Sequence, residues 1–491
     1  MKTHAIIMLL KFRAPLSLKI GNIEVEAALN NVQDLLASDE DLSPSLKAAL
    51  EVLMLLVGIL INQKLLNSKN SSKPPSADPY RQKKSNKGRS KRKPGGQTGH
   101  EGITLSQVSD PDEITELSID RRTLPKGPTY KHAGYESRQV IDIDFSRFVV
   151  EYRAEVLEDG QGNRFVAEFP ASVKRPVQYG NRIKANAVYM SQFQLIPYDR
   201  VRDYFADQMD IPISAGSIFN FNQEASNSLA QFELWAKKTL AQGEYLHADE
   251  TGINIDAKRH WLHVACTPEV TWLSAHAKRG TVAMDEIGIL PTFRGVLCHD
   301  HWKPYYQYSC QHSLCNAHHI RELERAWEQD GQQWAKQMQS LLIQINSAVD
   351  EAGGCLSRRK SDQWRLKYRT LLDKAEVECP PPDDTKPAGK RGRMKRSKAR
   401  NLLERLRRFE KDVLRFMDVG FVPFTNNQGE NDLRMSKVQQ KISGCFRSME
   451  GANIFCRVRS YISTCRKQGL TATQALTLLF EGEIPDFMKS G

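Results

Sequence analysis

Apolar positions in the first part of the chain recur at helical spacing. Val25, Ala28, Val32, Leu35 and Leu36 mark one helix. Ser43-Pro44-Ser45 opens a second, whose centre, Val52-Leu53-Met54-Leu55-Leu56, is apolar nearly all round. Such a helix has to be buried, within the chain or against a second copy. Residues 1–67 therefore read as a helical N-terminal region, with self-association and an ordinary core as the two outcomes. The longest apolar run, Val52 to Ile61, falls short of the ~20 residues a membrane span needs. The opening run up to Leu10 is cut off by Lys11 and Arg13, too short for a secretory leader.

Over 68–115 the apolar residues nearly vanish. Ser71-Ser72-Lys73-Pro74-Pro75-Ser76 leads into a stretch carrying Arg81, Lys83, Lys84, Lys87, Arg89, Lys91, Arg92 and Lys93 without an acid. With almost nothing to bury, this reads as a disordered linker whose charge density suits a phosphate backbone. Alternating runs return over 116–172: Val140-Ile141-Asp142-Ile143, Phe148 to Tyr152 and Phe165 to Phe169 predict a small β unit. Residues 173–240 are helical. Tyr198 to Met209 predicts one helix, Asp210-Ile211-Pro212-Ile213 a break, and Ser214 the N-cap of a helix from Ala215 to about Leu229. That layout is helix-turn-helix-like, with Ser217, Asn220 and Gln223 as base-facing candidates, although many helix pairs share it.

Residues 241–326 are strand-rich: Tyr245–Asp249, Ile253–Ile255, Trp261–Ala265 and Val270–Ser274 predict a meander, and Gly295 to His299 a later strand. A helix is expected from Met284 to Leu290 and another from Ala317. A helical insertion follows over 327–418, broken at Pro380-Pro381-Pro382 and carrying a second basic arm, Lys386, Lys390, Arg391, Arg393, Lys395, Arg396, Lys398 and Arg400. Residues 419–468 return to short helices, one N-capped by Asn427 and one over Asn453–Lys467, and 469–491 form a C-terminal tail.

Composition narrows the class. A chain of 491 residues holds several domains and buries a core without metal or disulfide staples. The formal net charge of +12 suits a polyanionic partner or simply a soluble basic protein, and charge alone does not choose between them. All nine cysteines lie from Cys266 onward, odd in number and irregular in spacing, which fits free thiols in a reducing cytoplasm.

The candidate chemistry starts from Asp249, an acid where an apolar strand run ends. Buried carboxylates are costly unless paired, and a divalent cation is the usual partner. Asp300 closes a later strand. Glu430 lies on a late helix, where Arg434, Lys437 and Lys441 follow on the same face at spacings of four, three and four. That stripe fits an acid beside DNA phosphates, or simple surface ion pairs. Glu250 competes with Asp249, but strand alternation points the two to opposite faces, so only one serves. The histidines and cysteines from Cys298 to His319 match no zinc template in spacing; they read as hydrogen-bonding groups, with His301 and Lys303 placed to approach a phosphate.

An acid on a first strand, one after a later strand and one on a late helix is the order used by ribonuclease H-like polynucleotidyl transferases. Hard oxygen ligands suit Mg²⁺ or Mn²⁺, and two such ions can serve an in-line phosphoryl displacement. The chain resembles the DDE transposases of the insertion sequence 66 type. The resemblance is carried by Ser71-Ser72-Lys73-Pro74-Pro75-Ser76, Lys93-Pro94-Gly95-Gly96-Gln97-Thr98-Gly99-His100, Gln178-Tyr179-Gly180, His247-Ala248-Asp249-Glu250-Thr251, His299-Asp300-His301-Trp302-Lys303-Pro304-Tyr305, Cys315-Asn316-Ala317-His318 and Asn426 through Arg434. It implies a multidomain α+β protein: a ribonuclease H-like catalytic core with a long helical insertion, preceded by helical and small β recognition regions. It further implies Asp249, Asp300 and Glu430 as metal-binding and catalytic residues, Mg²⁺ or Mn²⁺ as cofactor, and DNA cleavage and strand transfer at the ends of a mobile element. Element ends and target DNA, a second copy on DNA and accessory proteins of the same element are the implied partners, in a bacterial cytoplasm near the nucleoid.

Two departures stand out. The family often carries a cysteine-rich zinc segment between linker and helical region, and residues 123–130 contain no cysteine. Asn431 stands after Glu430 where arginine is expected. A transposase-derived DNA-binding repressor and another ribonuclease H-like nuclease are the competing readings; the intact acids count against the first and the long recognition region against the second.

Overall fold

The computed structural model describes residues 19–20, 23–38, 42–65, 70–71, 105–382 and 396–489. The basic stretch bearing Arg81, Lys83, Lys84, Arg89, Lys91, Arg92 and Lys93 lies outside the described residues, as does the part of the second arm from Lys386 to Lys395. Near the N-terminus, helix α1 (Val25–Ser38) is followed by α2 (Pro44–Leu65), with Pro44 in the first turn, where its missing N–H costs nothing. Val52, Leu53, Leu56 and Leu60 of α2 are exposed.

The β unit expected over 116–172 comes down to one hairpin, Val156–Glu158 with Arg164–Val166. Val140–Ile143 and Phe148–Tyr152 form no strand. Their alternation has no surface to pack against: Val140, Phe148 and Val149 are exposed, and a strand pattern holds only where a partner covers one face.

The helical region follows expectation closely. It comprises α3 (Asn181–Val188), α4 (Tyr198–Met209), α5 (Ala215–Ser228) and α6 (Ala230–Gln242). Ser214 caps α5 by accepting the Ser217 N–H. Asp210, with φ +49°, ends α4 in the left-handed region that Asn and Asp tolerate best. Ile218, Phe221 and Ala225 bury one face of α5. Of the proposed base readers, Asn220 is exposed, Ser217 bonds Ser214, and Gln223 donates to Glu450 at 2.7 Å, so only Asn220 stands clear of the fold.

At the centre is a five-stranded sheet: β1 (Tyr245–Ile255), β2 (Lys258–Cys266), β3 (Thr271–His276), β4 (Val296–His299) and β5 (Gln311–Leu314). Its order is 3-2-1-4-5. β1, β2 and β3 are successively antiparallel; β4 runs parallel to β1 and β5 parallel to β4. Two expectations need correcting. Asp249 and Glu250 do not end a strand, and Tyr245–Asp249 and Ile253–Ile255 are not separate strands. β1 runs on through both because β2 pairs with it from His247↔Cys266 to Ile255↔Lys258. A Cβ at Gly252 would lie 2.5 Å from the Arg259 guanidinium, the far end of an exposed side chain that can swing aside. The real turn is Asp256-Ala257, both with positive φ, as in mirror-image two-residue hairpins.

On one side of the sheet, Leu246, Ala248 and Ala265 join a core with α3 through α6, helix α7 (Thr281–Ile287) and the late helices α13 (Met449–Lys467) and α14 (Ala472–Glu481). Helix α12 (Asn427–Ser443) covers β1 and β2. The insertion builds its own core from α8 (Asn316–Asp330), α9 (Gln333–Glu351), α10 (Arg358–Glu378) and α11 (Lys398–Arg408), closing over Tyr245, Cys298 and Leu314. Arg400, assigned above to the phosphate-binding arm, is buried instead, bridging Glu376 and Glu404 while donating to the Cys379 carbonyl. Lys398 remains exposed.

Candidate active site

Alternation along β1 decides which acid faces where. Leu246, Ala248 and Glu250 share one face; Tyr245, His247, Asp249 and Ile253 share the other. β4 pairs with β1 only as far as His247↔Cys298, so Asp249 lies just past the point where its parallel neighbour stops. Asp300 follows the last residue of β4 and is therefore at the same end of the sheet.

Glu250 is fully engaged. Its Oε1 accepts from Arg279 Nε at 2.9 Å and Nη2 at 2.6 Å, and its Oε2 from the Tyr305 hydroxyl at 2.6 Å. Arg279 in turn lies over the Trp302 ring, 4.1 Å from its centre. Burial still raises the Glu250 carboxyl above its ordinary value, against the pull of Tyr305 and Arg279. With both oxygens bonded and a cation beside it, Glu250 is an anchor for the loop bearing Arg279 and for the turn after Asp300.

Asp249 is the reverse case. Among the described residues it accepts one hydrogen bond, from the Glu250 backbone N–H at 2.8 Å. Its carboxyl is raised well above the usual carboxylate range, first by burial and then by the negative charges of Glu250, Asp300 and Glu430. Asp300 and Glu430, distant along the chain, thus both lie within electrostatic reach of Asp249. Asp300 accepts from the Trp302 N–H at 2.9 Å. Glu430, about a third exposed, has Arg321 Nη2 at 3.5 Å and His318 Nδ1 at 4.0 Å.

Asn426 sets the position of Glu430. Sequence reasoning gave the N-cap of α12 to Asn427; the cap is Asn426, and its side chain makes no capping bond. It points back into the sheet instead. Its Nδ2 donates to the Ala248 carbonyl at 2.9 Å, and its Oδ1 lies 2.6 Å from His247 Nδ1. That pairing makes His247 the Nδ1–H tautomer, with Nε2 left for the Tyr245 hydroxyl at 3.1 Å. Burial pushes the His247 imidazole down to about 4, so it is neutral. The Asn426 N–H donates to Cys315 Sγ at 3.1 Å, and Asn316 N–H to the Phe424 carbonyl at 3.0 Å. The start of α8 and the start of α12 are thereby bound to β1 at one junction, which puts Glu430 in the first turn of a helix directly over Asp249. Gly429 leaves room for this: a Cβ there would come within 3.2 Å of Asn426 Oδ1.

The residue set fits a hard divalent cation. A carboxylate offers about four acceptor positions, and among the described residues Asp249 and Asp300 each fill one. The neighbouring acids oppose Asp249's ionisation, and a cation reverses that effect. The proposed phosphate contacts are placed as follows. Lys303 is exposed in the turn Lys303–Gln307, three residues after Asp300. Arg434, Lys437 and Lys441 are exposed along α12, although Lys437 Nζ also donates to the Gly252 carbonyl at 2.6 Å. His301, with φ +73°, is packed on Phe409 and Tyr306. Burial, then the charges of Arg405, Lys303 and Arg408, hold it down at about 4.

Sequence reasoning missed His247, Arg279, Tyr305, Arg321, Arg405 and Asn426. His247, Tyr305 and Asn426 stand inside the motifs that carry the family resemblance, which was the signal available for them. Arg279, Arg321 and Arg405 had no signal, since nothing in a lone arginine's surroundings in sequence distinguishes it from a surface one. Arg405, half-buried and facing the charge of Asp300, is pushed down to about 10 by desolvation.

No helix among the described residues is long and apolar enough to cross a membrane. None of the curated proteins matches the chain. A family of unknown function matches residues 14–106. The transposase IS66 family matches residues 176–454, a span that includes the whole central sheet, all three acids and the insertion. The chain belongs to the IS66 family of transposases.

Proposed function

We propose that this transposase binds the terminal inverted repeats of an insertion element and cuts and joins DNA strands through Asp249, Asp300 and Glu430. The observation that carries this reading is the convergence of the three acids: the half-buried Asp249 of β1 has its carboxyl raised first by desolvation and then by the negative charges of Glu250, Asp300 and Glu430, the last two arriving from distant parts of the chain. Their placement on the first strand, after the fourth and on a late helix supports a ribonuclease H-like core. When bound, Mg²⁺ or Mn²⁺, as two ions, supplies activation of the attacking oxygen and stabilisation of the leaving one in an in-line phosphoryl displacement. Asp249 and Asp300 hold that charge from the sheet, and Glu430 from α12. Asn426 and His247 keep α12 in register with β1. Lys303, Arg434, Lys437 and Lys441 offer phosphate contacts around the acids, while the basic stretch from Arg81 to Lys93 tracks the backbone further away. The same phosphoryl transfer, with a freed 3′ hydroxyl as nucleophile, accounts for strand transfer.

The test is Mg²⁺-dependent cleavage of a duplex carrying the element's terminal repeats. Loss of cleavage in each of Asp249→Ala, Asp300→Ala and Glu430→Ala, with DNA binding kept, is the expected result. Undiminished cleavage in all three removes the triad. Binding without cleavage by the unaltered protein favours a DNA-binding repressor.

A further inference from the structure

Cys315, His318 and Glu430 each present a ligand atom, and these atoms all lie within 4.8 Å of one another. The three come from the end of β5, the first turn of α8 and the first turn of α12, brought together by the Asn426 junction. Among the described residues, His318 Nδ1 is buried without a hydrogen-bond partner and has Glu430 Oε1 at 4.0 Å. A buried ring nitrogen left without a partner is costly, and such groups call for an explanation. Cys315 Sγ accepts the Asn426 N–H but donates to nothing among the described residues.

We propose that Cys315, His318 and Glu430 form a binding site for a borderline-soft divalent cation, Zn²⁺ in the first instance, distinct in donor chemistry from the all-carboxylate set of Asp249, Asp300 and Glu430. One thiolate, one imidazole and one carboxylate with an open fourth position is a zinc donor set. Tetrahedral zinc holds its ligand atoms about 3.5 Å apart, so closure asks for a shift of about 1 Å, which the partly exposed Glu430 side chain can make. Ligation replaces the Cys315 S–H bond by a metal–sulfur bond and releases one proton to solvent; no electron changes hands. The short Cys315-Asn316-Ala317-His318 spacing did not read as a zinc template because its third ligand lies beyond the insertion. Glu430 is common to both sets. On the functional reading above, a soft cation held here withdraws Glu430 from Asp249 and Asp300, so Zn²⁺ opposes the Mg²⁺-dependent reaction; the site itself does not depend on that reading.

The experiment titrates Co²⁺ into the full-length protein and reads the near-ultraviolet thiolate-to-cobalt absorption. One equivalent is expected to give the band and Zn²⁺ to abolish it. Cys315→Ser is expected to lose the band, and His318→Gln to weaken Co²⁺ affinity at least tenfold, with circular dichroism reporting the fold of each. Asp249→Asn is expected to lose Mg²⁺-dependent cleavage and keep the band. No band in the unaltered protein, or a band that survives Cys315→Ser, overturns the site. A band lost in Asp249→Asn overturns it too, since Asp249 would then be one of the ligands and the site would not be separate from the carboxylate set. Failure of Mg²⁺-dependent cleavage with the band intact strikes the functional reading alone.

Discussion

His247 Nδ1 and Asn426 Oδ1 are 2.6 Å apart, a buried hydrogen bond that ties the strand bearing Asp249 to the helix bearing Glu430. Asn426→Ala removes that bond and the donor to the Ala248 carbonyl. An unsatisfied buried polar group costs about 1–3 kcal/mol, so the unfolding midpoint in urea is expected to fall accordingly. Because the first turn of α12 also loses its anchor, cleavage is expected to fall further than stability alone explains. Equal losses in Asn426→Ala and in an equally destabilising core variant would leave Asn426 no positioning role.

Asp249 and Glu250 are adjacent, and their environments assign them opposite tasks. Asp249's carboxyl is raised above its ordinary value. Its contribution to the metal-free fold is therefore favourable below the ordinary carboxylate range and declines as pH rises through the raised value. Asp249→Asn is expected to unfold at higher denaturant than the parent at pH 8 without metal. It is also expected to lose the stabilisation the parent gains from Mg²⁺, and on the order of 10²–10³-fold in cleavage rate, the scale for removing one transition-state stabiliser. Calorimetry with and without Mg²⁺ checks the first part. Glu250→Gln, by contrast, leaves Arg279 without its charge partner and is expected to lower stability while retaining Mg²⁺ binding.

Buried imidazoles govern the response to acid. Burial holds His247, His263, His301 and His312 down at about 4, and lowers His299, His318 and His319 as well. Folded values below the unfolded 6.5 mean that their stabilising contribution is full above about pH 6.5 and is lost as pH falls toward 4. The raised carboxyls of Asp249, Glu250 and Asp412 act in the opposite sense but are fewer among the described residues. Stability is expected to drop steeply between pH 6.5 and 4. His263→Gln, which keeps a donor for the Lys278 carbonyl, should make the drop shallower in a pH series of urea titrations. A flat profile would contradict the imidazole account.

Gly295 stands where the chain enters β4, and a Cβ there would lie 2.3 Å from the Glu244 carbonyl oxygen. The Val296 N–H bonds that same oxygen at 2.8 Å, which starts the parallel pairing of the strands leading to Asp249 and Asp300. Gly295→Ala is expected to cost about 2 kcal/mol or more, as overpacking against backbone does. Hydrogen exchange at β4 amides is the direct check, with loss of protection expected there first.

DNA affinity should divide between two groups of cations. Replacing Lys83, Lys84, Lys91 and Arg92 by alanine is expected to lower the slope of log affinity against log salt by about 0.9 for each phosphate no longer neutralised. Arg434→Ala and Lys441→Ala are expected to act on cleavage more than on the salt slope, since they follow Glu430 along α12. A salt slope untouched by the four-residue change would free the arm of any role in binding.

Local pattern carried much of the fold. The α4–α5 pair and its Ser214 cap were legible because capping chemistry and helical spacing agreed. The meander was legible from β-forming runs, but β1 was read as the two pieces Tyr245–Asp249 and Ile253–Ile255, because the continuous pairing with β2 that carries it through the polar residues between them is not visible in sequence. The expected β unit over 116–172 failed for the opposite reason: its alternation was genuine, yet strand formation depends on a partner that sequence does not name. Asp249, Asp300 and Glu430 could be singled out by motif, whereas Arg279, Arg405 and the inward turn of Asn426 depend on contacts made across the whole fold.

The insertion between β5 and α12 has a consequence for synthesis. A ribosome delivers Asp249 and Asp300 well before Glu430, and the Asn426 junction cannot close until α8 has folded and α12 has emerged. Nascent or prematurely ended chains that stop between Asp300 and Asn426 carry the basic stretch, the α4–α5 pair and two of the three acids, but they lack α13 and α14, which complete the core around that pair. On the proposed function, cutting therefore belongs only to a chain translated through its final helices.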